Sequence, residues 1–171
     1  MPSKADIQKQ PPGSHPVYPL LVYGFPFCYP RFKKDVARLN KFLNYFSKMV
    51  YLKCNLPKSD SSSRLRNLGL VSIENVYLYT GLVYIFKIIH HLAPSPPFFP
   101  PVMTSSTRGH SKKLPHLYCR TDLRKSFFYV RLIPLWNSLS GEVVPSRSIS
   151  HFKRFLRSSD FSEHISKGAF F

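Results

Sequence analysis

Four stretches of the chain carry its apolar positions, and proline-rich or polar runs separate them. From Arg31 onward, Phe32, Val36, Leu39, Phe42 or Leu43, Phe46 and Val50 stand three or four residues apart, which puts them on one face of an amphipathic helix. Arg31, Lys33, Lys34, Arg38, Lys41 and Lys48 fill the rest of its surface, and the helix is expected to stop before residues 55–57. Residues 58–63 read as a polar, serine-rich linker, after which Gly69 punctuates the chain and Ser72 is suited to cap a second helix. Residues 73–92 are apolar on nearly every side. Their β-branched and aromatic content permits strands, but the length of the run and its lack of internal turns beyond Gly81 favour a buried helix. Lys87, His90 and His91 argue against a membrane span there.

Sixteen prolines against seven glycines restrict where regular structure can form, because proline lacks a backbone donor and fixes φ. Residues 1–30 read as an irregular leader and residues 94–101 as a locally polyproline-like connector. Residues 104–120 are polar and basic without helical period, a loop with room for short strands near 114–118. Asp122 starts a third helix, with Leu123, Phe127, Val130, Leu132 or Ile133, and Trp136 on one side; Pro134 is expected to kink or split it near Arg131. Val143 and Val144 form an extended piece ended by Pro145, and Ser148 caps a last short helix carrying Ile149, Phe152, Phe155 and Leu156. The expected fold is mostly α, a small irregular helical bundle with proline-rich connectors and a disordered N-terminus.

Charge adds a partner class. Lys and Arg number 25 against 8 Asp and Glu, a formal +17, which attracts polyanions. Aromatic residues at 15% are interleaved with the basic ones, a mixture suited to stacking on unpaired bases, so RNA or DNA ranks ahead of an anionic membrane. Cys28, Cys54 and Cys119 form no CxxC pair, which fits an intracellular, reducing compartment and no zinc ribbon. Residues 17–27 are too short and too broken by Pro19, Gly24 and Pro26 for a membrane span or a signal peptide.

Metal-dependent phosphoryl transfer needs converging carboxylates. The acids here are Asp6, Asp35, Asp60, Glu74, Asp122, Glu142, Asp160 and Glu163; only Asp160 and Glu163 stand close, in a polar tail. No catalytic residue, metal site, cofactor or small-molecule substrate is therefore expected. His110, His116 and Cys119 could supply three metal ligands, but a fourth is missing and Lys112, Lys113, Arg120 and Arg124 oppose a cation. The candidate nucleic-acid contacts are Arg108, His110, Lys112, Lys113, Arg120, Arg124, Lys125 and Arg131, with Asp122 the lone acid among them. Phe127, Phe128, Trp136 and Asn137 are read as structural.

Thr107, Arg108, Gly109 and His110, then Cys119 to Lys125, then Phe127, Phe128, Arg131, Trp136, Asn137 and Leu139, stand in a characteristic order and spacing. Ser148, Phe152, Lys153 and Leu156 continue it, and Leu68, Gly69, Leu70, Ser72, Ile73 and Glu74 precede it. The pattern resembles the C-terminal end of reverse transcriptases from LINE-type (non-LTR) retrotransposons. The resemblance covers roughly residues 27–161 and is specific over residues 107–139; residues 68–161 form the reverse-transcriptase C-terminal-like region, residues 31–57 are similar to the helical thumb that follows the polymerase palm, and residues 162–171 are left as a tail. It implies helices that grip template RNA and primer DNA, with the catalytic aspartates N-terminal to them and without counterpart here. Departures accompany it. Val76, Tyr77, Tyr79 and Gly81 stand where the family has arginines and an acid, Leu43, Asn44 and Tyr45 replace a Gln-Arg-Arg run, and Ser140 replaces a proline. The expectation is a catalytically incomplete remnant that binds RNA or DNA through phosphate contacts. The alternatives are a pseudogene-like product without function, or a domesticated interaction module using the helix at 76–89.

Overall fold

The computed structural model describes Gly24, Pro30 and residues 32–103, 110–145 and 148–159. The described residues form six helices and no strand: α1 (Lys33–Lys53), α2 (Ser61–Asn67), α3 (Ile73–Ile89), α4 (Asp122–Lys125), α5 (Phe128–Asn137) and α6 (Ile149–Ser158). The mostly α expectation holds for them. The leader and the C-terminal tail lie outside the described residues apart from Gly24 and Pro30. The chain divides into two compact units, one holding described residues 32–76 and the other 77–159, with the break falling inside α3.

In the first unit α1 forms where its periodicity places it. Of the two candidates for its buried stripe Leu43 is the one enclosed, at 1% exposure, while Phe42 and Phe32 are exposed; Val36, Ser47 and Tyr51 complete the buried face. The helix stops because Asn55 takes a left-handed backbone, φ 48°, letting the Leu56 N–H bond the Tyr51 carbonyl at 3.0 Å and the Asn55 N–H bond the Leu52 carbonyl. The serine run is not wholly a linker. The Asp60 carboxylate accepts from the Ser62 and Ser63 amides at 3.0 and 3.1 Å and nucleates α2, a cap the serine content had masked. Gly69, at φ 64°, ends α2 through the paired bonds Leu70 N–H to Leu65 carbonyl and Gly69 N–H to Arg66 carbonyl. Asn40 fastens α1 to the start of α3: its amide donates to both Glu74 carboxylate oxygens at 2.9 and 3.0 Å, and its carbonyl accepts from the Ile73 N–H at 3.2 Å.

Ser72 caps α3 as expected, accepting from the Asn75 amide at 3.4 Å. The helix ends at Ile89, earlier than its apolar run, because His91 adopts φ 57° and Leu92 bonds back to the Lys87 carbonyl at 2.7 Å. No residue of α3 is exposed, and none of the described helices is long and apolar enough to cross a membrane.

In the second unit Tyr77, Leu78, Leu82, Ile85 and Phe86 of α3 meet a core completed by Leu132, Trp136, Val144 and Phe152. The Phe86 ring is stacked between His90 and Phe152 at 4.2 and 4.3 Å. Three local expectations are corrected. Residues 94–101 are not uniformly polyproline-like, since a turn at 97–98 carries Phe98 at φ 64°. Residues 114–118 form no strand; an isolated antiparallel bridge pairs Met103 with Lys113. Val143 and Val144 are buried in a turn rather than extended.

The helix begun at Asp122 does split, but at Ser126–Phe127 and not near Arg131. The Ser126 hydroxyl and amide both bond the Asp122 carbonyl, closing α4, and Phe127 turns extended before α5. Pro134 sits inside α5, exposed on its solvent side, where it withholds one helical donor from the Val130 carbonyl without breaking the helix. Ser148 caps α6, accepting from the His151 amide at 3.3 Å.

Candidate nucleic-acid interface

The basic segment is held to α5 by side chains that grip backbone. The Trp136 indole N–H donates to the Lys112 carbonyl at 2.9 Å. The Asn137 carboxamide closes a reciprocal pair with Leu114, accepting from its N–H at 2.9 Å and donating to its carbonyl at 2.8 Å. His110 Nε2 lies 2.9 Å from the Trp136 carbonyl; a carbonyl only accepts, so Nε2 carries the proton. His110 Nδ1 is buried and has no hydrogen-bond partner among the described residues. Burial holds the ring's pKa below the usual histidine value and the Lys113 charge adds to this, while the bond to Trp136 opposes it. Trp136 and Phe128 are buried. Phe127 is 44% exposed and lies under the Arg124 guanidinium at 5.3 Å.

The expected nucleic-acid contacts do not form one surface set. His110 is 2% exposed, and a ring so enclosed meets no phosphate. Arg131 turns inward over Tyr77, 5.0 Å from its ring centre; burial pushes the Tyr77 hydroxyl up to about 12, and the charge and hydrogen bond of Arg131 pull it back only in part. Lys112 is half-buried with its ammonium 3.4 Å from His90 Nδ1, which makes that nitrogen the acceptor and leaves His90 Nε2 to donate to the Val144 carbonyl at 3.0 Å. Arg124 is half-buried within 6 Å of three rings, Phe98, Phe127 and Tyr129. Lys113 is half-buried, and Arg108 lies outside the described residues.

Arg120 and Lys125 remain at the surface. Arg120 is exposed and makes no hydrogen bond or ion pair with another described residue. Lys125 pairs with Asp122 at 3.2 Å, with the two side chains 61% and 72% exposed, so the pair is weak and screened. Both line a groove of about 420 Å³ formed by residues 116–120 with Lys125, Val130 and Ile133. Tyr118 stands on its rim at 91% exposure. Nothing in the sequence announces this groove, because its lining residues are scattered between positions 116 and 133 and share no periodicity.

Among the described residues no three His, Cys, Asp or Glu side chains come together as a metal set. His110 is on Trp136, and Cys119 Sγ points to the Leu117 carbonyl at 3.6 Å. Of the described acids, Asp35 meets Arg38, Asp60 caps α2, Glu74 accepts from Asn40 and Asp122 pairs with Lys125, while Glu142 is exposed. No family model, curated protein or solved structure matches the chain.

Proposed function

We infer that this chain is a catalytically incomplete, reverse-transcriptase-like region whose remaining chemistry is to hold RNA or DNA by phosphate contacts with little sequence preference. The observation that carries this reading is the exposed Arg120 guanidinium, without a hydrogen-bond or ion-pair partner among the described residues, beside Lys125 on a groove of a chain with formal charge +17. Arginine's planar fork matches a phosphate bidentately, and each neutralised phosphate releases counterions. The order of Thr107 to Leu139 supports a reverse-transcriptase origin. A partner-docking role for α3 lacks the exposed apolar face it needs, since no residue of that helix is exposed.

The test is fluorescence anisotropy of the full chain with single-stranded RNA and DNA oligonucleotides of several sequences. Affinities within a few-fold of one another across sequences support the reading. Absence of binding at low salt, or strong preference for one sequence, overturns it.

A further inference from the structure

We propose that the groove between residues 116–120 and Lys125 receives one unpaired nucleotide of a single strand, its base stacked on Tyr118 and its phosphate held by Arg120 and Lys125. The inference rests on the nucleic-acid reading and names the ligand at that same site. Its volume of about 420 Å³ lies in the range of small-ligand sites and suits a base with its sugar. Its parts are those a nucleotide needs.

Tyr118 is 91% exposed, so its ring contributes nothing to the core and offers both faces to a ligand. Val130 and Ile133 give the groove an apolar lining against which a base edge or sugar loses water. The guanidinium of Arg120 has no described partner, and the ammonium of Lys125 is held by one exposed, local carboxylate that a phosphate can displace. A base-paired nucleotide offers no free face to a tyrosine ring, which restricts the ligand to an unpaired one.

The experiment compares the full chain's affinity for a 5′-fluorescein uridine oligonucleotide with that for an oligonucleotide of equal length carrying abasic sites, which keeps the phosphates and removes the bases. The wild-type chain is expected to bind the uridine strand about 5-fold or more tighter, the effect of one stacked base. Tyr118→Ala removes that difference and leaves abasic binding unchanged, while Tyr118→Phe retains it; because the side chain is exposed, both variants should keep the wild-type far-ultraviolet circular dichroism. An oligodeoxyuridine arm assigns the strand to RNA or DNA, and a base-dependent gain with either supports the proposal. Equal affinity for uridine and abasic strands overturns the groove assignment while leaving phosphate binding intact, as does a Tyr118→Ala loss that is the same for both strands. No binding to any strand overturns the nucleic-acid reading itself.

Discussion

His110 donates its Nε2 proton to the carbonyl of Trp136 at 2.9 Å, and its ring meets the indole edge-on with centres 5.7 Å apart. The remaining nitrogen is buried without a hydrogen-bond partner among the described residues, so a second proton has nowhere to go. With the folded pKa held below that of the unfolded chain, the unfolded state takes up the proton first. The stability due to a neutral His110 is complete above the ordinary histidine range, near 6.5, and is lost as pH falls below it. The thermal unfolding midpoint of the unit that holds His110 should therefore drop between pH 7.5 and 5, with a smaller drop in His110→Gln. A midpoint equally pH-dependent in the variant would assign the effect elsewhere.

Asn137 and Trp136 grip the same short segment, so their removal should be costly and coupled. Asn137→Ala leaves the Leu114 N–H and carbonyl without their partner, and Trp136→Phe does the same to the Lys112 carbonyl. Each should destabilise by about 1–3 kcal/mol in urea denaturation, and the double variant by less than the sum, because releasing either residue loosens both attachments. Strict additivity would mean that residues 112 and 114 are held independently.

Asn40 carries the corresponding role in the first unit. Asn40→Leu keeps the volume but strips the Glu74 carboxylate and the Ile73 amide of their partner. A loss of about 2–3 kcal/mol is expected, and Glu74→Gln in the same background should recover part of it by removing the unpaired charge. No recovery would show that the Ile73 amide alone accounts for the loss.

The helices were legible where periodicity or an isolated cap signalled them. Val36, Leu43 and Phe46 announced α1, Ser72 announced α3 and Ser148 announced α6. Asp60 was overlooked because the serines it caps read as linker, although an acid followed by three small polar residues is a helix-start signal. Pro134 points to a break near Arg131, whereas Ser126 ends the helix earlier by bonding back to the Asp122 carbonyl. The candidate site was less legible. Charge composition cannot tell Arg131, folded over Tyr77, from Arg120, which is exposed at the surface, and it gives no sign that His110 is enclosed against Trp136.

Asp60 offers a local check on α2. Its carboxyl pKa is lowered, chiefly by the side-chain and backbone hydrogen bonds of Ser63. The cap is therefore in place above the ordinary carboxylate range and is lost as pH falls through the lowered value. Asp60→Ala should speed amide exchange at Ser62 and Ser63 at neutral pH and leave α1 unaffected. Unchanged exchange at those two amides would contradict the assigned cap.

The most direct test of phosphate binding at the groove is the salt dependence of single-stranded RNA affinity for the full chain and for Arg120→Ala/Lys125→Ala. Each phosphate contact on a single strand contributes about 0.7 to the slope of log affinity against log salt. The wild-type affinity should fall steeply with salt, and the double variant's slope should be shallower by about 1.4, the share of two contacts. A flat wild-type line, or a variant line parallel to the wild-type one, would contradict the assignment of phosphate binding to Arg120 and Lys125.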